Sequence, residues 1–153
     1  MSFLKKIDSW LIGVCLARVG TGLVLITYAA ALPIVQREWG MSAAKAGSIS
    51  SGNQFAYAIS LVIFSSLADL WGAKRVFLGS TTVGALAAMA FALFARDYFS
   101  ALILYTLVGI SLGGSYTTGL MLLTERYDTA KRGTAMGYFI ASTSAGYALS
   151  LLI

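Results

Sequence analysis

Five long stretches of the chain carry almost no charge, and they limit the folds open to it more than any other feature. They are residues 10–34, 46–68, 76–95, 98–124 and 134–153. A helix needs about 20 apolar residues to cross the hydrocarbon core of a bilayer. Strands of a transmembrane barrel are shorter, with about ten residues of alternating hydrophobicity. The pattern therefore predicts an all-α membrane protein with five transmembrane helices, in contact with a lipid bilayer.

Composition supports a membrane protein and excludes several other classes. Of the 153 residues, 58% are hydrophobic and 11% are charged, whereas soluble domains average about 25% charged residues. The sequence has no histidine, no cluster of metal ligands and no phosphate-binding loop. We therefore expect no metal, no cofactor and no enzymatic activity. The basic residues are not gathered on one face, so we expect no nucleic-acid partner.

The distribution of lysine and arginine predicts an orientation. Segments on the side of the N-terminus hold Lys5, Lys6, Lys74, Arg75, Arg126, Lys131 and Arg132, and those on the other side hold Arg37, Lys45 and Arg96. Cytoplasmic loops carry the excess of basic residues in membrane proteins. The imbalance predicts a multi-pass protein of the inner cell membrane with its N-terminus in the cytoplasm.

The short polar segments between the stretches resemble signatures of a known family. The segment SSLADLWGAKR resembles the signature Gly-x-Leu-Ala-Asp-Arg-x-Gly-Arg-Lys between helices two and three of the major facilitator superfamily. The matching residues are Leu67, Ala68, Asp69, Gly72 and Lys74, and the departures are Ser65, Leu70 and Ala73. The segment LTERYDTAKRGTAMG resembles the loop of the same family between helices four and five, with Glu125, Arg126, Arg132 and Gly133 in the matching places.

This resemblance implies a fold, a mechanism and a role for the loops. The implied fold is built from inverted three-helix repeats, and the implied activity is secondary active transport of a small solute by alternating access. The loop residues would form a cytoplasmic conformational switch, in which Asp69 and Glu125 form a charge cluster with Arg75, Arg126 and Arg132. The arginine that marks helix four of proton-coupled drug exporters falls at Tyr105, which argues against that subfamily.

An internal repeat points to the same plan without reference to any family. Residues 57–63 read YAISLVI and residues 147–153 read YALSLLI, ninety positions later. At this offset Asn53 aligns with Thr143, and Gln54 aligns with Ser144. The two segments lie in the second and fifth predicted helices, three spans apart, so they run in opposite directions, as in the inverted repeats of many transporters. Since a second repeat needs a sixth helix, we expect residues 1–153 to be the N-terminal transmembrane bundle of a longer transporter, truncated before helix six. The remaining transporter half is then its partner.

Polar residues inside the spans are the candidates for a substrate cavity, because such residues are costly in lipid and tend to face an aqueous interior. They are Ser50, Asn53, Gln54 and Tyr57 in the second stretch, Tyr105, Tyr116 and Thr117 in the fourth, and Thr143, Ser144 and Tyr147 in the fifth. The alternative is that these groups only bond neighbouring helices.

Arg18 is the single charged residue inside a predicted span. Three interpretations remain open from the sequence. The side chain extends to the cytoplasmic surface, pairs with an acid in the remaining half, or binds an anionic group of the substrate through its bidentate fork. A small-molecule substrate, anionic in the last case, is therefore the expected ligand. The alternative function is a short membrane protein that does not transport and acts only through helix packing with partners.

Overall fold

The computed structural model describes residues 8–152, apart from the side chains of residues 25–27, 29 and 30. Over this range the chain forms five α-helices and no strand. The helices are α1 (Ser9–Glu38), α2 (Ala43–Trp71), α3 (Ala73–Phe94), α4 (Tyr98–Arg126) and α5 (Thr129–Ser150). The prediction of an all-α chain is confirmed.

Most of the helices extend beyond the uncharged stretches because their starts are fixed by capping residues rather than by the edge of the apolar sequence. The carboxylate of Asp8 accepts a hydrogen bond from the Trp10 amide at the start of α1, and Ser42 caps α2 in the same way. Asp97 and Ser100 form a capping box at the start of α4. Each cap satisfies backbone N–H groups that have no partner within the helix. Charged residues can therefore lie in the terminal turns without interrupting the helix.

A single glycine connects α2 to α3. Gly72 has φ +86° and ψ 136°, a conformation that residues with a Cβ rarely adopt. The chain reverses at this residue, and α3 begins at the next one. We call the end of the bundle that holds Asp8, Gly72 and Asp128 the proximal end, and the end that holds Gly40 and Asp97 the distal end.

The helices associate mainly as two sets. One set is α4 with α2 and α3 along its sides, and the other is α1 with α5. In the α2–α4 pair, the space where Gly109 lacks a Cβ is filled by the backbone carbonyl of Asn53. In the α1–α5 pair, the same space at Gly22 is filled by the carbonyl of Thr143, at 2.6 Å from an ideal Cβ. Asn53 and Thr143 are also matched in the internal repeat, so the two pairs cross at corresponding positions.

Three of the five predicted spans meet the requirements for crossing a membrane on length and composition. These are α2, α3 and α4, and the described part of α1 contains a shorter apolar stretch, Ser9–Val24. Large apolar side chains such as Val62, Leu86 and Phe94 are exposed on the outside of the bundle, as is usual for a surface that contacts lipid.

Candidate functional site

Arg18 is buried in the bundle and is held by residues of two other helices. It lies on α1 and only 5% of its surface is exposed. Its Nε donates a hydrogen bond to Thr143 Oγ1 on α5 at 3.1 Å. Its Cζ lies 5.2 Å from the ring centroid of Tyr116 on α4 and 5.0 Å from that of Phe139 on α5. Interaction with aromatic rings at this distance stabilises a cation that has lost its water.

The two rings lie on the same side of the guanidinium rather than enclosing it. Tyr116 and Phe139 stack on each other with centroids 6.3 Å apart, which is too close for a guanidinium to fit between them. Tyr57 on α2 and Tyr147 on α5 lie within electrostatic range of Arg18, together with Tyr116. Residues of α1, α2, α4 and α5 therefore converge on this one cation.

The terminal nitrogens of Arg18 have no protein partner within residues 8–152. Neither Nη makes a hydrogen bond there, and no carboxylate lies within ion-pair distance. Two polar side-chain atoms in the described part of the chain are fully enclosed and without a hydrogen-bond partner, Thr81 Oγ1 and Tyr127 Oη, and neither belongs to Arg18. Each Nη of Arg18 therefore keeps some accessible surface, within the 5% exposure of the residue as a whole. Among the described residues this cation lacks a counter-ion.

The burial of Arg18 argues against the first of its three interpretations. A side chain that extended to the proximal surface would expose its charged end to water. Instead the guanidinium is directed toward α5 at the level of Thr143. Pairing with an acid elsewhere in the protein and binding of a substrate anion both remain.

Two of the sequence candidates, Tyr116 and Thr143, contact the Arg18 guanidinium, and two more, Tyr57 and Tyr147, lie within electrostatic range of it. The aromatic ring of Phe139 joins them and was not among the candidates. Its position four residues before Thr143, on the same face of α5, was the available signal.

Asn53 and Tyr105 do not belong to this group. The Asn53 amide donates to the Tyr105 backbone carbonyl at 2.6 Å, and its side chain is almost fully buried between α2 and α4. The Tyr105 ring packs against Tyr28 and Phe91 at centroid distances of 4.8 and 5.3 Å. Both residues match the alternative in which polar groups bond neighbouring helices.

The other polar candidates make no bond to Arg18 among the described residues. Thr117 donates its hydroxyl to the Gly113 carbonyl of its own helix. Ser50 is half-buried, and Gln54 and Ser144 are exposed on α2 and α5. None of them hydrogen-bonds to the guanidinium. An apolar cavity of about 430 Å³ between α1, α3 and α4 does not include Arg18 among its lining residues either.

Among the described residues, the pairing at the proximal end differs from the predicted charge cluster. Arg126 binds Asp8 rather than Asp69 or Glu125: its Nε donates to Asp8 Oδ2 at 3.0 Å, and its Nη2 bonds to the same oxygen. The Arg126 Cζ also lies 4.8 Å from the Trp10 ring centroid. The start of α1 and the end of α4 meet at this end of the bundle, which brings Asp8 into contact with Arg126.

This pairing changes the acidity of both partners. The hydrogen bond from Arg126 holds the pKa of the Asp8 carboxyl below its usual value of 3.8. In turn, the Asp8 carboxylate raises the pKa of Arg126. The sequence signal for Asp8 was its place two residues before Trp10, where an aspartate commonly caps a helix that begins an apolar run.

The remaining members of the loop motifs lie separately at the proximal end. Asp69 and Glu125 are exposed and form no ion pair within residues 8–152, and Lys74, Arg75 and Gly133 are also exposed. Arg132 donates from Nε to the Tyr127 carbonyl at 3.3 Å. The geometry of this conformation therefore does not show a network that joins Asp69 to the arginines.

Comparison with known proteins identifies the family. The sequence profile of the Major Facilitator Superfamily matches residues 11–153. The chain is 29% identical over 126 residues to a probable 4-methylmuconolactone transporter of Cupriavidus pinatubonensis, which covers 80% of the chain and 28% of that protein. It is equally 29% identical over 126 residues to a gallate transporter of Pseudomonas putida, which covers 79% of the chain and 28% of the relative.

A third relative is less similar in sequence but matches a similar share of the chain. A probable sulfoacetate transporter of Cupriavidus necator is 25% identical over 112 residues, or 73% of the chain and 26% of that protein. The chain thus spans about a quarter of the length of these curated relatives. No solved structure matches the chain at a comparable level of significance. The profile match over almost the whole sequence, together with relatives that are membrane transporters and not enzymes, shows that the chain belongs to the Major Facilitator Superfamily.

Proposed function

We propose that the whole protein is a secondary active transporter that moves a small organic anion across the inner cell membrane by alternating access. In this proposal residues 1–153 are its N-terminal transmembrane bundle, with five spans, a cytoplasmic N-terminus and inverted repeats. The names of two relatives, gallate and sulfoacetate transporter, denote organic anions and support this substrate class.

The observation that carries the proposal is the unpaired cation at the meeting point of four helices. A charge within the membrane is expensive, by at least about 2.5 kcal/mol even on the most lenient scale. Arg18 nevertheless has two Nη atoms without a hydrogen-bond partner and no acid within ion-pair distance among residues 8–152. A guanidinium binds a carboxylate or sulfonate through two parallel hydrogen bonds, which are stronger than those between neutral groups. An organic anion would thus supply the missing partner.

The same charge offers a physical reason for coupling between binding and closure. A cavity that closes over an unpaired cation must remove the remaining water from that cation, which is costly. When an anion is bound, the pair loses water together and the cost falls. Binding then favours the closed arrangement by the difference in affinity between the two states. The helices that contribute to the Arg18 site would be those that move relative to the second bundle.

The test is transport by the full-length protein in proteoliposomes. Radiolabelled gallate, sulfoacetate and 4-methylmuconolactone serve as probes. We expect saturable uptake of at least one of them, and a loss of more than tenfold in Arg18→Lys, because lysine keeps the charge but cannot form the bidentate contact. Arg37→Lys, the same change at the exposed end of α1, is the control and should transport normally.

Two results would contradict the proposal. One is the absence of uptake of all three anions by a correctly inserted wild-type protein. The other is unchanged uptake in Arg18→Lys, which would assign Arg18 a role outside the substrate site.

A further inference from the structure

We propose that Thr143 is a positioning residue that fixes the orientation of Arg18, so that the substrate anion is bound end-on by the two Nη groups. This inference rests on the proposed function and adds a residue and a binding geometry to it. The direct observation is the hydrogen bond from Arg18 Nε to Thr143 Oγ1 at 3.1 Å.

The position of Thr143 is set by the backbone and does not depend on Arg18. At the crossing of α1 and α5, the Thr143 carbonyl occupies the space beside Gly22, and the Val19 carbonyl occupies the space beside Gly146. Both glycines are buried, and neither has room for a Cβ. Arg18 lies four residues before Gly22, one helical turn away on the same face of α1. The crossing therefore holds the Thr143 hydroxyl at a fixed place beside the guanidinium.

The second helix pair shows that this crossing forms without an arginine. In the α2–α4 pair, Asn53 takes the place of Thr143 and Gly109 takes the place of Gly22. Four residues before Gly109 is Tyr105, and the Asn53 amide bonds to the Tyr105 backbone carbonyl. The two crossings share their backbone contact and differ in what the polar side chain bonds. In α1–α5 that side chain bonds the one buried cation among the described residues.

The hydrogen bond decides which edge of the guanidinium is free. An arginine can hold an anion through the edge that contains Nε and one Nη, or through the edge that contains both Nη groups. Thr143 occupies Nε, and the stacked rings of Tyr116 and Phe139 cover one side of the group. The edge with both Nη groups has no hydrogen-bond partner among the described residues. Since the rotation of a long side chain is costly to restrict upon binding, a side chain already fixed in this way binds more tightly.

The first test compares variants of Thr143 in the full-length transporter. Thr143→Val keeps the shape but removes the acceptor, and we expect the KM for the transported anion to rise about tenfold, with Vmax within twofold of wild type. Thr143→Ser keeps the acceptor and should restore the wild-type KM. Thr82→Val, the same change at an exposed position of α3, should alter neither value. A purely structural role would instead lower the amount of folded protein or Vmax in the Val variant, without a change in KM, and would overturn the proposal.

A second test needs no substrate. In protein labelled with ¹⁵N at arginine Nε, we expect the Nε–H signal that Arg18→Lys removes to exchange slowly with water. It should exchange at least tenfold faster in Thr143→Val and remain slow in Thr143→Ser. Equal exchange in all three proteins would overturn the positioning role, even if Arg18→Lys abolishes transport. Conversely, the wild-type protein could show slow exchange while Arg18→Lys transports normally. Thr143 would then be bonded to an arginine that does not bind substrate, and the proposal for Thr143 would fail together with the substrate site.

Discussion

Arg126 is bound at the proximal end by two neighbours of different chemistry, the Asp8 carboxylate and the Trp10 ring. Both groups belong to the first turn of α1 or its cap, whereas Arg126 ends α4. The contact thus ties together residues 118 positions apart in the chain. Asp8 has a second role, because the same side chain caps α1 through the Trp10 amide.

Replacement of Asp8 by asparagine should separate these two roles. Asparagine still caps a helix, so only the ion pair with Arg126 is lost, and we expect a small fall in the melting temperature of the full-length protein in detergent. Asp128→Asn is the control, since Asp128 precedes α5 but makes no side-chain capping bond.

The dependence on pH follows from the direction of the pKa change. The pKa of Asp8 is lowered by folding, so the ion pair contributes fully above the usual value of 3.8 and is lost as the pH falls through the lower folded value. The difference in melting temperature between wild type and Asp8→Asn should therefore be constant from neutral pH down to about pH 5. A difference that vanishes within that range would contradict the assignment.

The sequence predicted the central residue of the site but only part of its surroundings. Arg18 was evident as a charge inside an apolar stretch, and Tyr57, Thr143 and Tyr147 followed from helical spacing and the repeat. Spacing cannot tell a polar side chain that lines a cavity from one that bonds the next helix, and Asn53 belongs to the second kind. Phe139 could not be found by a search for polar residues.

At the scale of the helix, packing in this bundle depends on glycines at the two crossings. Gly22 and Gly109 each meet the backbone of the opposite helix, which cannot move aside without a shift of the whole helix. Gly20 lies in the same stretch of α1 and has no atom within 4 Å of an added Cβ. The glycines of one helix therefore differ in their consequences, although the sequence does not distinguish them.

These contacts predict the effect of alanine at each glycine. Gly22→Ala and Gly109→Ala should each lower the free energy of unfolding by about 1–3 kcal/mol, the usual cost of excess volume in a packed interior. Gly20→Ala should be neutral or stabilising, by up to about 1 kcal/mol, because alanine favours the helix. Unfolding of the full-length protein in detergent measures all three. Equal effects of Gly20→Ala and Gly22→Ala would contradict the crossing geometry.

The existence and order of the helices could be predicted, whereas their ends and pairing could not. Apolar length predicts α2, α3 and α4 directly. The ends were missed by up to five residues at the start of α5, because a helix continues into charged sequence until a cap or a glycine such as Gly72 ends it. The pairing of Arg126 required knowledge of which helix ends are adjacent in space.

At the scale of the whole molecule, the proposal of five spans with a cytoplasmic N-terminus can be tested by fusions to alkaline phosphatase, which is active only outside the cytoplasm. We expect activity for fusions after Gly40 and Arg96, at the distal end, and none after Gly72 and Asp128, at the proximal end. Expression of each fusion is checked by immunoblot. Activity after Gly72 would reverse the orientation, and equal activity after Gly72 and Arg96 would show that α3 does not cross.

The site at Arg18 lies between the two sets of helices, and in the proposed function it acts together with the rest of a longer transporter. The chain covers about a quarter of the length of its curated relatives. An acid in the remainder and an anion from solution would both satisfy the same cation. A decisive measurement must therefore detect the anion at the guanidinium itself.

Solid-state NMR can make that measurement on the full-length protein in lipid, with ¹⁵N-labelled arginine and the best transported probe anion labelled with ¹³C at its carboxylate. A bidentate contact with N···O distances of about 2.7–2.9 Å brings the carboxylate carbon close enough to the Nη nitrogens for a measurable dipolar coupling between the labels. We predict coupling to one arginine in the wild type, and its loss in Arg18→Lys when the anion is saturating. Coupling that persists in Arg18→Lys, or that is absent from the wild type, would contradict Arg18 as the anion site.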